Sequence, residues 1–485
     1  MALIRTGLLV VFMTESLGLL LRLLAGLIAI EVVGYALLVL SLPSKASFTS
    51  LERLSLSLGL GCLGLSLWML LLTWVRIPYH LLNLTGPWLA VILPAFWLAH
   101  RRGWLQADGG MLGHCFLTGI SLGRRANFSR LEQAVFFLLL LAFGFALLRA
   151  TLYPLWAWDE LATWGLKAKA FYLSRAVDLS RFEAHNYYPN LLPLVLTYLY
   201  FWLGGVMEPL AKAFFPLCGG AVVVLFYCFL RRLEVERTAA LAAAAYLMLN
   251  GATFLNHLFI AYADLILTFY HLGAVGLLYL WVRAEAPAGS GAIITCYAGG
   301  MAWSKFEGWP LVLILILAAI FTLAWLRPPG YGKKISSALV MGLGGWLLAL
   351  PWRQFVHLQG WDVGLDHVGG FYPEQFLLGA GLVLQALFWL PYFGLLWPSI
   401  FLSFILTARS LLSTPVLFLA LLVAGNLAAT VLAYAIVPTS ATEFPLYVRA
   451  TVDRLLLHVA PASALIFSVP LATTVPPLQD DRNFI

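Results

Sequence analysis

Charge is what this sequence has least of. Asp, Glu, Lys and Arg make up 11% of its 485 residues, against about a quarter in an ordinary soluble domain. So few charges cannot clothe a globule of this size in water, which excludes a soluble fold and leaves lipid as the main solvent. Cysteine chemistry is missing too. Cys62, Cys218, Cys228 and Cys296 lie in apolar stretches and Cys115 in a basic one. No CxxC pair or Cys/His cluster at metal spacing exists, so neither a disulfide framework nor a zinc site is indicated. The sequence also lacks a soluble domain of any size and an internal repeat. Near the start, Arg5 precedes apolar residues without a convincing small-residue cleavage site, so the segment reads as an uncleaved helix. A net charge of +7 and a pI near 9.1 would suit nucleic acid. The basic residues instead fall in short loops between apolar runs, as the positive-inside rule expects, so no nucleic-acid partner is expected.

What is present is apolar sequence: 62% of the chain, with a mean hydropathy of +0.91. A spanning helix needs roughly 20 mainly apolar residues. The spans read as 18–41, 54–76, 82–99, 131–150, 210–230, 238–256, 263–283, 290–304, 310–327, 335–352, 380–405, 412–437 and 450–472. The expected fold is therefore an all-α, polytopic transmembrane bundle of about 13 helices. It divides into N-terminal helices (1–100), a basic loop (101–130), a central module (131–355) and C-terminal helices (356–485).

The basic loops orient the chain. Arg101, Arg102, Arg124, Arg125 and Arg130 face a single Asp108, and this loop is expected to be cytoplasmic. Arg231, Arg232 and Arg237 mark a second such loop; Arg327, Lys333 and Lys334 mark a third. If 189–206 and 210–230 both spanned, the second loop would lie outside. The simplest resolution is that 189–206, with Pro189, Pro193, Gly204 and Gly205, enters the membrane without crossing it. Residues 151–209 then form one extracytoplasmic segment, with Asp264, Lys305 and Glu307 on the same outer face.

Residues 156–169 differ in kind from their surroundings. Two adjacent carboxylates, Asp159 and Glu160, stand beside Trp156, Trp158 and Trp164. Leu161, Trp164, Ala168, Phe171 and Tyr172 recur at helical spacing, with Glu160, Thr163 and Lys167 off that stripe. The pattern describes a helix along the membrane interface. An anchor helix is the plain alternative. Against it stand two acids at the exit of a span, costly there unless paired or used.

Four features in order resemble the GT-C superfamily, membrane glycosyltransferases that use polyprenyl-phosphate-linked sugars. They include the protein O-mannosyltransferases and the aminoarabinose transferase of lipid A. The first feature is Asp159-Glu160 and its interfacial helix, followed by His185-Asn186-Tyr187-Tyr188-Pro189-Asn190-Leu191-Leu192-Pro193. The second is Tyr262-Ala263-Asp264 opening a span, and the third is Lys305-Phe306-Glu307-Gly308. Last come Arg449 and Asp453-Arg454-Leu455-Leu456-Leu457. The resemblance runs over about 130–355 in order and more loosely at the end. The His-Pro-Pro usual in that family is replaced by His185 ahead of Tyr188-Pro189, and three helices precede the module.

The resemblance implies inverting sugar transfer on the outer face of a cytoplasmic membrane, to an unidentified glycan, lipid or protein acceptor. Such a transfer needs a base for the nucleophile and a cation for the departing phosphate. Asp159 is the expected base, since Trp156 and Trp158 would partly dry it. Glu160 and Asp264 are the other catalytic candidates, although Glu160 can instead pair with Lys167 and Asp264 can simply cap its helix. Lys305, Arg449 and Arg454 are the phosphate candidates, with headgroup snorkelling the alternative for the two arginines. Glu307, Tyr262, Trp158, Trp164, Lys167 and His185 complete the expected binding set. A divalent metal is the one cofactor the chemistry admits, and a metal-free site is preferred.

Other signals carry less. Gly59-Leu60-Gly61-Cys62-Leu63-Gly64 matches GxGxxG but lies inside a span with no preceding strand, so helix packing explains it. His257 and His271, on apolar helices, read as hydrogen-bonded core residues. The rival functions are a transporter or flippase of lipid-linked saccharides, whose ionisable groups would sit at mid-membrane, and a polymerase or ligase of unrelated helical fold.

The topology has a direct test. Cysteines placed at 159, 264 and 305 should react with an impermeant reagent from outside the cell, and those at 124 and 232 from within. Labelling of 159 and 232 from the same side would overturn the non-crossing segment.

Overall fold

The computed structural model describes residues 2–117, 128–182, 185–361 and 369–472, with backbone alone for 2–14 and 112–117. No strand occurs among them, and ten helices are long and apolar enough to cross a membrane. The chain is a multi-pass membrane protein. The ten are α1 (Ala2–Ser41), α2 (Ser50–Trp74), α3 (Leu81–Arg101), α5 (Arg130–Leu152), α8 (Glu208–Arg232), α11 (Ala263–Val282), α13 (Gly308–Leu326), α14 (Tyr331–Leu358), α18 (Val416–Ala435) and α19 (Phe444–Leu471).

Two expected spans take another form, and a third keeps its bounds but is short. The stretch 238–256 is α9 (Arg237–Leu249) and a single turn, α10 (Thr253–His257), while 290–304 is the fifteen-residue α12 (Ser290–Ser304). The stretch 380–405 is broken into α15 (Pro373–Leu387), α16 (Leu390–Phe393) and α17 (Leu396–Leu406). The breaks in α9–α10 and α15–α17 have one cause, because they dock on each other. Gly251 has φ +78° and lies so close to the Tyr392 carbonyl that a Cβ would come within 2.3 Å of it. Gly394 has φ +53°, and the Ala252 N–H donates to the Pro391 carbonyl at 3.0 Å. Hydropathy counts apolar residues and is blind to left-handed glycines that let two chains meet.

The segment 189–206 is the helix α7 (Leu191–Leu203), buried along most of its length against α1, α2 and the helix α6 (Gly165–Ser174). Thirteen residues extend only about 20 Å, short of the roughly 30 Å hydrocarbon layer. The basic stretch 101–130 is partly helical: α4 spans Trp104–Leu117. Arg124 and Arg125 lie outside the described residues.

Helix direction separates two ends of the bundle. At the arginine-rich end, Glu52 and Glu132 each close a capping box, with Thr49 and Ser129 respectively. The same carboxylates reach across to arginines: Arg232 pairs with Glu52, and Arg237 Nε meets Glu132 Oε1 at 2.7 Å. Arg53 pairs with Asp108, which also accepts from Tyr35 Oη at 2.7 Å. The N-terminal helices are packed into the bundle, α2 lying against α7, α8 and α12.

Gly59, Gly61 and Gly64 serve that packing. A Cβ on Gly61 would lie 2.0 Å from the Ile30 carbonyl oxygen, and one on Gly34 1.7 Å from that of Ser57. The α1 and α2 backbones thus touch through paired glycines, as small residues permit in lipid. Gly61→Val should lower unfolding stability in detergent by about 1–3 kcal/mol, the usual cost of overpacking. Gly332→Val, at a glycine with open space around it, is the control. Equal midpoints for both variants would remove Gly61 from the α1–α2 contact.

Candidate active site

At the opposite end, five segments distant in sequence meet. The first begins where Pro154 stops α5 and the chain turns back through Trp156 and Ala157. A single π turn, Glu160–Trp164, then starts α6, closed by the Gly165 N–H on the Glu160 carbonyl. Only glycine fits at 165, where a Cβ would lie 2.6 Å from that carbonyl oxygen and 2.2 Å from Leu155. The extra residue in a π turn shifts the helical face. The expected stripe is buried at Trp164, Ala168 and Phe171 but broken at Leu161, which is exposed, and Glu160, Thr163 and Lys167, expected off the stripe, are buried with it.

Glu160 is fully buried and serves as a staple. Its Oε2 accepts from the backbone N–H of Trp156 (2.8 Å) and Ala157 (2.9 Å), and its Oε1 from that of Ala261. Lys212, 1% exposed at the start of α8, approaches Oε1 at 3.5 Å and donates to the Pro154 carbonyl at 3.1 Å. Glu160 thus pairs with Lys212, not with Lys167, and both of its oxygens are engaged by backbone N–H groups. Lys167 donates to the His185 carbonyl and lies 5.9 Å from the ring centroids of both Trp164 and Tyr188. Burial pushes its ammonium down to about 7. Trp164, Tyr188 and His185 stack in series, with centroids 6.0 and 5.1 Å apart. Trp164, Lys167 and His185 therefore form one aromatic post that fixes the 185–188 turn.

Asp264, in the first turn of α11, is completely buried. Its Oδ1 accepts from Lys305 Nζ at 2.9 Å and meets His458 Nε2 at 2.7 Å. Lys305 Nζ also meets Glu307 Oε1 at 2.9 Å. Burial disfavours the charge on Lys305, but Asp264 and Glu307 outweigh it and hold the ammonium above the ordinary lysine range. Glu307 is correspondingly held below the carboxylate range by Lys305. Gly308 lets this turn fold back onto α12, since a Cβ there would lie 1.8 Å from the Met301 carbonyl oxygen. Asp264 and Lys305 are too enclosed for the expected surface labelling; of the three positions, 159 alone is partly open.

Asp159, next to Glu160, pairs with Arg454 of α19, and the guanidinium lies 5.1 Å from the Tyr262 ring centroid. Trp156 and Trp158 are 53% and 79% exposed, so they do not dry Asp159 as expected. Arg454 takes its carboxylate instead. Arg449, about one and a half turns earlier on α19, is exposed and lines a half-open groove of about 310 Å³ between α15 and α19. Leu382, Ala386, Trp389, Val448 and Val452 make its walls apolar, with Gln385 and Tyr392 beside Arg449. Trp158 stands apart, and the aromatic post reaches the Lys305 turn through Tyr187, whose ring is 6.1 Å from Phe306. His257 is a buried residue whose Nδ1 is 2.8 Å from the Thr253 carbonyl oxygen.

Sequence reasoning missed Lys212 and His458. Both interrupt apolar spans, and His458 follows Arg454 at i+4, a spacing that puts both on one face. Among the described residues no three His, Cys, Asp or Glu side chains are grouped to hold a metal ion, and no residue is assigned to one. Comparisons with family models, curated proteins and solved structures find no match to this chain.

Removing Lys305 leaves Asp264 buried with His458 as its single side-chain partner. Lys305→Met should therefore destabilise the protein by about 3–5 kcal/mol, the cost of breaking a buried pair. Glu307→Gln should cost much less, because Glu307 is partly exposed. Unfolding midpoints in one detergent measure both, and equal losses would contradict Asp264 as the group Lys305 chiefly serves.

Proposed function

We propose that the chain is a membrane glycosyltransferase of GT-C type. It moves a sugar from a polyprenyl-phosphate donor to a glycan, lipid or protein acceptor at the end of the bundle opposite the arginine-rich loops. By the positive-inside rule that end is extracytoplasmic. The observation that carries the proposal is the convergence of Asp159, Tyr262, Asp264, Lys305, Glu307 and Arg454 from four segments, beside an apolar groove with a cation at its rim.

The groups divide by exposure. Asp159 and Arg454 retain some solvent contact, at 29% and 17% of their side chains, whereas Asp264 and Lys305 are enclosed. The reacting positions go to the first two. An acceptor hydroxyl or amine attacks the anomeric carbon as the bond from that carbon to the phosphate oxygen breaks, and its proton passes to Asp159. The electron pair leaves with the polyprenyl phosphate, whose growing charge falls to Arg454 and Arg449. Lys305 was the leading phosphate candidate on sequence grounds. With two carboxylates already on its ammonium, it serves better as the brace of Asp264. The α15–α19 groove suits an apolar chain whose charged head stops at Arg449.

Asp159→Asn keeps shape and removes basicity. Turnover of a lipid-linked sugar, read as free polyprenyl phosphate, should fall about a hundredfold or more, while donor binding persists. Turnover within a few-fold of wild type in a folded Asp159→Asn protein would return Asp159 to a structural role.

A further inference from the structure

The proposed base and the proposed phosphate ligand are bonded to each other. Asp159 cannot freely take a proton while Arg454 holds it, and Arg454 cannot fully neutralise a phosphate while Asp159 claims it. Lys305 is no substitute, since it is enclosed and bound to two carboxylates. We propose that the Asp159–Arg454 pair is an exchangeable latch. The phosphate of the lipid donor displaces Asp159 from Arg454, and the carboxylate so released becomes the working base. The inference rests on the transferase reading of the site.

The geometry favours exchange at this pair over the others. A guanidinium carries five N–H donors in a fixed fork and binds phosphate bidentately. Arg454 reaches Asp159 through Nη1, and its buried Nε has no hydrogen-bond partner. The Tyr262 ring holds the guanidinium from one side, so the fork can change partners without the side chain losing its seat. Arg449, about 7.5 Å along the α19 axis, gives an arriving phosphate a first contact at the groove rim. By contrast Glu160, one residue on, is fixed by three backbone N–H groups and Lys212, so Asp159 can let go while its chain position stays put. The latch also orders the reaction: without donor the base is occupied, and the acceptor is not deprotonated.

A competitor inside the protein lowers apparent affinity by the fraction of sites it blocks, and removing it restores that affinity. The full chain in nanodiscs of zwitterionic lipid would be titrated with polyprenyl phosphate, with uncharged polyprenol as the control. Asp159→Asn, and Asp159→Ala as a second variant, should bind the phosphate lipid more tightly than wild type, by about tenfold if the latch is mostly closed. Arg454→Gln should weaken binding at least as much. The Asp159→Asn, Arg454→Gln double variant should show no gain over Arg454→Gln alone, because nothing is left to release. Unchanged or weaker binding by both Asp159 variants would make the pair a fixed brace and overturn the latch. So would the same gain in the Arg454→Gln background, which would reflect loss of a negative charge and no release of arginine. Wild-type protein that binds neither lipid would overturn the transferase reading itself, and the latch with it.

Discussion

A carboxylate shut away from water must be met by other charges or hydrogen bonds, and Asp264 is met twice through one oxygen. Lys305 arrives from the turn after α12 and His458 from the middle of α19, so one buried group ties the start of α11 to two other helices. The rest of the site follows. Tyr262, two residues before Asp264, lies under Arg454, and Arg454, one turn before His458, reaches Asp159. Together with the Thr268 hydroxyl, which reaches the Leu457 carbonyl at 3.3 Å, the pairing at Asp264 sets α19 against α11 and so helps to place the Asp159–Arg454 contact.

Two neighbouring acids illustrate how the protein separates holding from acting. Glu160 spends both oxygens on backbone N–H groups and Lys212, and so sets the path of the chain around it. Asp159 has a single arginine and some exposure to solvent. The Trp164–Tyr188–His185 stack with Lys167 belongs to the first kind, since its polar bond secures a loop. An acid–base group needs a rigid neighbour and a partner it can leave, and residues 159 and 160 supply one of each.

The ten long spans were legible because a membrane helix is written locally, in about 20 apolar residues. Of the other three, 290–304 keeps its expected bounds and is merely short, while two fail for a tertiary reason: Gly251 and Gly394 permit two breaks to interlock, and nothing in either stretch alone signals the other. The short α7 was legible from the arginines at 231–237, a charge argument independent of hydropathy. At the site, the charged residues were found because acids and bases beside apolar sequence stand out. Their pairing was not, since Asp159–Arg454 and Asp264–His458 span 295 and 194 residues. The face of α6 was misjudged because a π turn shifts the helical phase. Lys212 and His458 are within reach of the rule that an ionisable group inside a span needs a reason.

The claim underneath the whole account is that this end of the bundle breaks a bond instead of passing a molecule across the membrane. The most direct measurement reconstitutes the purified wild-type chain in liposomes with labelled polyprenyl-phosphate sugars and a mixture of candidate acceptors. Mass spectrometry then follows the sugar and the lipid separately. The account predicts one free polyprenyl phosphate for each sugar appearing on an acceptor, with the new linkage inverted at the anomeric carbon. Intact donor moving from one leaflet to the other, with no free polyprenyl phosphate formed, would contradict it.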